Sequence, residues 1–132
     1  MRTLLILLLL SLPVSAEYFD FDAAFSVPGN AERGKQLAAA GDRFPTPCNF
    51  CHGVDGIALQ DMHPNLAGQK DAYLRRQLVE FIYFKRDSHI MNRVLVDYDK
   101  QLPMYAPQDI ADLAAHFSGI GCTMMCSAGK AP

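Results

Sequence analysis

Residues 48–52 read Cys48-Asn49-Phe50-Cys51-His52, and the interpretation of the whole chain depends on this stretch. Two thiols three positions apart on one helical turn can both reach the edge of a porphyrin, and the next imidazole can then face the iron. The spacing therefore predicts one covalently attached haem c, bound through Cys48 and Cys51, with His52 as an iron ligand.

Three other interpretations of these cysteines are weaker. A thioredoxin-like C-x-x-C needs a β-α-β context, and residues 94–96 are the only β-branched cluster. A zinc site needs a second ligand pair, for which Cys122 and Cys126 are candidates at i, i+4 spacing. A plain disulfide between any two cysteines stays open.

The composition limits the class of protein. The chain has 132 residues, half of them hydrophobic, with 12 Lys and Arg against 14 Asp and Glu. This balance excludes a disordered charged chain and gives no support to nucleic-acid binding, which requires clustered basic residues. The length predicts one domain.

Residues 1–16 have the pattern of a secretory signal peptide. A basic start at Arg2 precedes an apolar run over residues 4–10, and small residues lead to a predicted cleavage after Ala16. The run is shorter than the roughly 20 residues that span a bilayer. We therefore expect an exported protein, located in a bacterial periplasm, with no membrane span after cleavage. Loss of Arg2 would leave 11 basic against 14 acidic residues.

Three amphipathic helices are predicted, over residues 31–40, 72–85 and 107–117, with Asn30 and Asp71 as N-caps of the first two. Arg75, Arg76 and Glu80 are expected away from the apolar face of the second helix. Residues 17–29 are predicted to form an N-terminal arm without regular periodicity. Long loops over residues 53–68 and 87–106 leave little apolar surface to bury, which favours an all-α domain around a large apolar cofactor.

In this order, the motifs resemble the small class I c-type cytochromes of bacteria, and most closely single domains of the cytochrome c4 and c553 group. The matching stretches are Glu32-Arg33-Gly34, the haem motif with Gly53-Val54-Asp55-Gly56, Pro64-Asn65-Leu66-Ala67-Gly68-Gln69, Tyr73-Leu74, Gln77-Leu78 and residues 109–117. The resemblance implies the class I cytochrome c fold over residues 30–118, followed by a tail over residues 119–132.

The resemblance also implies roles for single residues. His52 would be the proximal ligand, with its second ring nitrogen hydrogen-bonded to the carbonyl of Pro64. Gly34 would lie where the first and last helices cross, next to Phe117. The haem walls are expected to include Phe44, Phe50, Leu59, Leu66, Leu74, Leu78 and Leu95.

The sixth ligand has two candidates. In the family a Met follows the second helix after a basic stretch, which matches Met91 and makes it the preferred ligand. Residues 97–105 then look like an addition to the family pattern, and they contain Met104, the alternative ligand. His63, His89 or an open site are the remaining possibilities.

Two axial protein ligands would leave no open iron position, which favours one-electron transfer over catalysis. The sequence thus predicts a periplasmic monohaem electron carrier that is not an enzyme. Alternatives are a haem subunit of a periplasmic oxidoreductase complex, and a haem enzyme or sensor with a labile sixth ligand. The expected partners are redox proteins with a basic or neutral patch, selected in part by residues 97–105.

Cys122 and Cys126 lie outside the family pattern. Their spacing and the oxidising compartment favour a disulfide between them. A Cu(I) site with Met124 and Met125 and a link to a partner protein are the alternatives.

Overall fold

The computed structural model describes residues 21–40 and 46–121. These residues form six helices and one two-stranded antiparallel ladder, in which Val96 pairs with Pro103 and Asp97 with Leu102. The helices are α1 (Phe21–Ser26), α2 (Ala31–Ala39), α3 (Cys48–His52), α4 (Asp71–Ile82), α5 (Met91–Leu95) and α6 (Pro107–Gly119), and the strands are β1 (Val96–Asp97) and β2 (Leu102–Pro103). The three longest helices are the three that the sequence predicts.

Helices α2 and α6 cross in direct backbone contact. A Cβ atom built on Gly34 would lie 2.0 Å from the carbonyl oxygen of Asp112 and 2.8 Å from the Cβ atom of His116. Only glycine fits at this distance, so the predicted crossing at Gly34 is confirmed. The contact lies at Asp112 and His116, and the ring of Phe117 packs against the ring of His116 with centroids 4.8 Å apart.

A polar network accompanies this crossing. The guanidinium of Arg33 pairs with the carboxylates of both Asp109 and Asp112, which are buried in α6. The backbone N–H of Asn30 donates to Asp112 Oδ1 at 2.7 Å, and the Asn30 side chain caps α2 by accepting from the N–H of Arg33. Asn30 therefore acts as the N-cap that the sequence predicts.

The expectations for α4 need three corrections. Asp71 does not cap the helix but begins it, and its carboxylate accepts from Arg75 Nε at 2.6 Å. The helix ends at Ile82, three residues before the predicted end. Arg75 is not on the exposed face, because only 7% of its surface is accessible.

Arg75 instead attaches the N-terminal arm to the domain. One guanidinium nitrogen donates to the carbonyl oxygens of Ala24 at 2.9 Å and Val27 at 2.7 Å. These acceptors lie at the end of α1, which buries Ala24. The N-terminal arm thus contains a short helix over Phe21–Ser26, which is stabilised by tertiary contacts that the sequence pattern does not show.

The region predicted to be an irregular loop over residues 87–106 is also more ordered than expected. It contains α5 and a hairpin of β1 and β2, whose turn places Gln101 at φ 55°. Phe84 at φ 53° precedes it and packs edge-on against the ring of Tyr98 with centroids 5.9 Å apart. Side-chain contacts across the segment stabilise these short elements. Because such contacts follow no sequence period, the sequence does not predict the elements.

Some predictions fall on residues that the structure does not describe. They are the signal peptide with its cleavage after Ala16, the wall position of Phe44, and the disulfide between Cys122 and Cys126. Across residues 21–40 and 46–121, no helix combines the length and the apolar character needed to cross a bilayer.

Candidate haem site

A cavity of about 390 Å³ lies between α3, α4, α5, α6 and the loop after α3. Most of its walls are apolar side chains from α4, α5 and α6. Its lining includes Cys48, Cys51, His52, Met62, His63, Pro64, Leu66, Tyr73, Leu74, Leu78, Phe81, Ile90, Met91, Val94, Leu95, Leu113, Ala114 and Phe117.

Helix α3 brings the predicted attachment residues to this cavity. Cys48 and Cys51 are free thiols, and their spacing puts both on the cavity side of a five-residue helix. Burial raises the pKa of Cys48 to about 11, although its interaction with the Tyr105 hydroxyl acts in the opposite direction. Reactive C-x-x-C pairs have a lowered thiol pKa, and the raised pKa of Cys48 differs from that pattern.

His52 ends α3 with a fixed ring orientation. Its Nδ1 lies 2.9 Å from the carbonyl oxygen of Pro64. Because a carbonyl can only accept, Nδ1 carries the proton and Nε2 keeps its lone pair for a metal. Burial lowers the pKa of His52, against the effect of the Pro64 hydrogen bond and together with that of nearby His63. The neutral, ligating form is thus favoured.

The structure places the candidate sixth ligands differently. Met91 begins α5 and lines the cavity, whereas Met104 packs against the hydrophobic core and is not part of the lining. His63 lines the cavity beside His52, with ring centroids 6.0 Å apart, so both imidazoles lie on one side. His89 does not line the cavity.

Four of the expected wall residues, Leu66, Leu74, Leu78 and Leu95, line the cavity. Two others do not, because Phe50 and Leu59 are 80% and 97% exposed. In a helix with Cys48 and Cys51 on the cavity side, the intervening Phe50 must face outward. Both side chains border a separate surface groove of about 150 Å³, which Cys51 and His63 also line.

The residues present fit a covalently bound haem. Two thiols, an imidazole with a free nitrogen and the thioethers of Met62 and Met91 line the cavity together with apolar side chains. The described residues contain no cluster of three or more His, Cys, Asp or Glu side chains that could hold another metal.

Sequence reasoning missed Ser88 and Asn92, which lie next to Met91 in a stretch expected to be irregular. Asn92 is buried and has side-chain hydrogen bonds to three backbone groups. A buried Asn directly after a candidate ligand has no recognisable motif, and only the contacts make it visible. None of residues 97–105 lines the cavity, although Tyr105 reaches the Cys48 sulfur from the core.

Comparison with known proteins gives a consistent result. Residues 31–119 match the family model of cytochrome c. Cytochrome c4 of Pseudomonas aeruginosa is 35% identical over 81 residues, which cover 61% of this chain and 37% of the relative. Cytochrome c4 of Azotobacter vinelandii is 34% identical over 83 residues, or 61% of this chain and 40% of the relative. Cytochrome c-554(548) of Halomonas halodenitrificans is 33% identical over 81 residues, or 61% of this chain and 93% of the relative.

The chain thus spans about two fifths of the cytochrome c4 relatives and nearly all of the shorter one. The family match confirms the predicted all-α class I cytochrome c fold. It also implies covalently bound haem c, for which Cys48 and Cys51 form the attachment motif with His52 beside them. From this match, and from the cavity that these residues line, we conclude that the chain belongs to the cytochrome c family.

Proposed function

We propose that this protein is an exported, periplasmic electron carrier with one haem c, which is attached through Cys48 and Cys51 and ligated by His52 and Met91. The observation that carries the proposal is the common cavity. A thioether and an oriented imidazole line it together with both attachment thiols. When bound, haem c supplies an iron that gains and loses a single electron.

Each residue has a separate task in this proposal. Pro64 fixes the His52 ring so that Nε2 is the ligating atom. The soft thioether of Met91 favours the ferrous state and so raises the reduction potential relative to a bis-imidazole site. Buried side chains such as Leu74, Leu95 and Phe117 exclude water and disfavour the extra positive charge of the ferric state.

A pair of single variants tests the ligand assignment. Met91→Ala should abolish the far-red charge-transfer absorption of the ferric protein and allow the ferrous protein to bind CO. Met104→Ala is the matched control, because it removes an equally large side chain from the core without opening an iron position. If Met104→Ala produces these spectral changes and Met91→Ala does not, the assignment is wrong.

The same spectra separate electron transfer from catalysis. If His52 and Met91 both hold the iron, the ferrous protein should resist CO, since CO would have to displace one of the two side chains. Rapid CO binding by the unaltered protein would contradict the electron-carrier proposal and favour a haem enzyme or sensor. A haem stain after denaturing electrophoresis tests the covalent attachment independently.

The surface around the attachment motif supports a redox partner with a basic or neutral docking patch. Phe50, Val54, Leu59 and Met62 are largely exposed, and Asp55 and Asp61 are exposed among them. Residues 44–69 contain no Lys or Arg. An apolar surface with acidic neighbours suits the small, transient contacts of electron-transfer partners. Stopped-flow reduction by basic and acidic partner proteins at varied salt tests this preference.

Export is supported by the apolar run and small residues within residues 1–16. Expression of the full chain in a bacterium with haem attachment machinery should release haem-containing protein in the periplasmic fraction. Mass spectrometry should show that the polypeptide in this fraction begins at Glu17. Recovery of the unprocessed chain in the cytoplasm would contradict the proposed location.

A further inference from the structure

A polar contact network adjoins the proposed ligand Met91, and one of its members, Ser88, lines the cavity. Asn92 is 1% exposed, belongs to α5 and does not line the cavity. Its Nδ2 donates to the carbonyl oxygen of Phe81 at 2.6 Å and to that of Arg86 at 3.4 Å. Its Oδ1 accepts from the N–H of Ser88 at 2.7 Å. One side chain thus connects α5, the end of α4 and the intervening loop.

Ser88 completes the network from the other side. Its Oγ accepts from the N–H of Met91 at 3.2 Å, and its carbonyl oxygen accepts from the N–H of Asn92 at 3.0 Å. The hydroxyl therefore contacts the backbone of the proposed ligand itself. Together, Ser88 and Asn92 fix both the start of α5 and its distance from α4.

Helix α5 is too short to be stable by itself, and it depends on this network and on the packing of Leu95 in the core. It is five residues long, and Ile90 at its N-cap makes no side-chain capping bond. Helices of this length do not form alone in water. The preceding turn also contains Phe84 in the left-handed region, at φ 53°. Contacts outside the helix must therefore determine where Met91 lies.

We propose that Asn92, together with Ser88, is a positioning residue that keeps the Met91 thioether in the cavity and so closes the sixth coordination position. This inference rests on the proposed function, because Met91 can act as a ligand only to a bound haem. Loss of the Asn92 side chain removes the buried hydrogen bond to the Phe81 carbonyl, and with it the polar contact between α5 and the end of α4. The consequence is a larger population in which Met91 is away from the iron.

The test measures CO binding by the ferrous holoprotein, together with the far-red absorption of the ferric form. Apparent ligand affinity scales with the population of the binding-competent state, so Asn92→Leu should raise CO affinity about tenfold. Ser88→Ala removes one of the contacts and should raise it about threefold. Both variants should weaken the far-red absorption in the same order.

Asn30→Ala is the matched control for a loss of stability. It removes a capping Asn from α2, outside the cavity lining, and should leave CO affinity and the far-red absorption unchanged. Unaltered CO affinity in both Asn92→Leu and Ser88→Ala would overturn the proposal. If Asn92→Leu does not yield folded holoprotein, Ser88→Ala alone decides.

The proposed function can fail independently of the positioning role. If the unaltered protein binds CO without hindrance and Met91→Ala does not change this, Met91 is not a ligand and both proposals are overturned. If Met91→Ala opens the site but the Asn92 and Ser88 variants do not, only the positioning role is wrong.

Discussion

The crossing of α2 and α6 and the segment over residues 84–105 stabilise the walls of one cavity in different ways. At the crossing, backbone meets backbone at Gly34, and no space is left for a side chain. The segment is instead joined to its surroundings by side-chain hydrogen bonds, such as the one from Asn92 to the carbonyl oxygen of Phe81 in α4. The crossing should therefore tolerate no added atom, whereas the segment should be sensitive to the loss of a polar group.

The largest effect is expected for Gly34→Ala, which tests the crossing. The new methyl group would lie 2.0 Å from a backbone oxygen of α6, which cannot rotate away as a side chain could. The two helices must separate, so we expect a loss of about 3 kcal/mol or more in the free energy of unfolding. Guanidinium unfolding of the ferric holoprotein, followed by circular dichroism, measures this loss.

Gly119→Ala is the matched control for Gly34→Ala. Gly119 is the last residue of α6, and a methyl group there would meet no atom within 4 Å. Because Ala has the higher helix propensity, this variant should be neutral or more stable by up to about 1 kcal/mol. Equal destabilisation by the two substitutions would show that the close approach of the helices is not what matters.

A smaller effect is expected at the polar part of the same crossing. The carboxylate of Asp112 is fully buried and accepts from Asn30 N–H, Arg33 and Gln108. Asp112→Asn removes the charge and turns a donor toward Arg33. We expect a loss of about 1–3 kcal/mol in the free energy of unfolding at neutral pH, since buried groups lose partners. The same guanidinium titration measures it.

The effect of Asp112 should depend on pH. Burial alone would raise the pKa of Asp112, but the Asn30 N–H and the Arg33 guanidinium outweigh it, so the pKa is lowered. A carboxylate with a lowered pKa stabilises the folded state above the pKa of the unfolded chain, about 3.9, and loses this effect as pH falls. The stabilities of the unaltered protein and Asp112→Asn should therefore converge in acid. A stability difference between the two proteins that stays constant down to pH 2 would show that the charge of the Asp112 carboxylate is not its cause.

The two regions also differ in how well the sequence predicts them. Gly34 stands out because glycine is unfavourable inside a helix, and the family resemblance places it at a crossing. The attachment motif is equally informative, since its spacing reflects one chemical requirement. Helix α1 and the hairpin are not predictable from the sequence. Arg75 stabilises α1 and Tyr98 stabilises the hairpin, through contacts that follow no sequence period.

The site shows the same limit. Sequence periodicity identifies Leu74 and Leu78 as wall residues because they repeat along one helix face. It does not identify the outward direction of Phe50, which depends on how a five-residue helix is oriented by its two cysteines. It also misses Asn92, whose partners are backbone carbonyls up to eleven positions away.

The smallest effect is expected within the hairpin, where Lys100 Nζ lies 2.8 Å from Asp97 Oδ2. This hydrogen bond and charge lower the pKa of Asp97, and Lys100→Gln should return it toward the ordinary value in a carboxyl NMR titration. The Asp97 carboxylate contributes to the free energy of unfolding at neutral pH, and this contribution is lost as the pH falls through the lowered pKa. Because the pair is exposed, the midpoint of guanidinium unfolding should not change measurably. A loss as large as that of Asp112→Asn would instead mean that charge pairs stabilise both regions, and that buried side-chain hydrogen bonds are not what distinguishes the 84–105 segment.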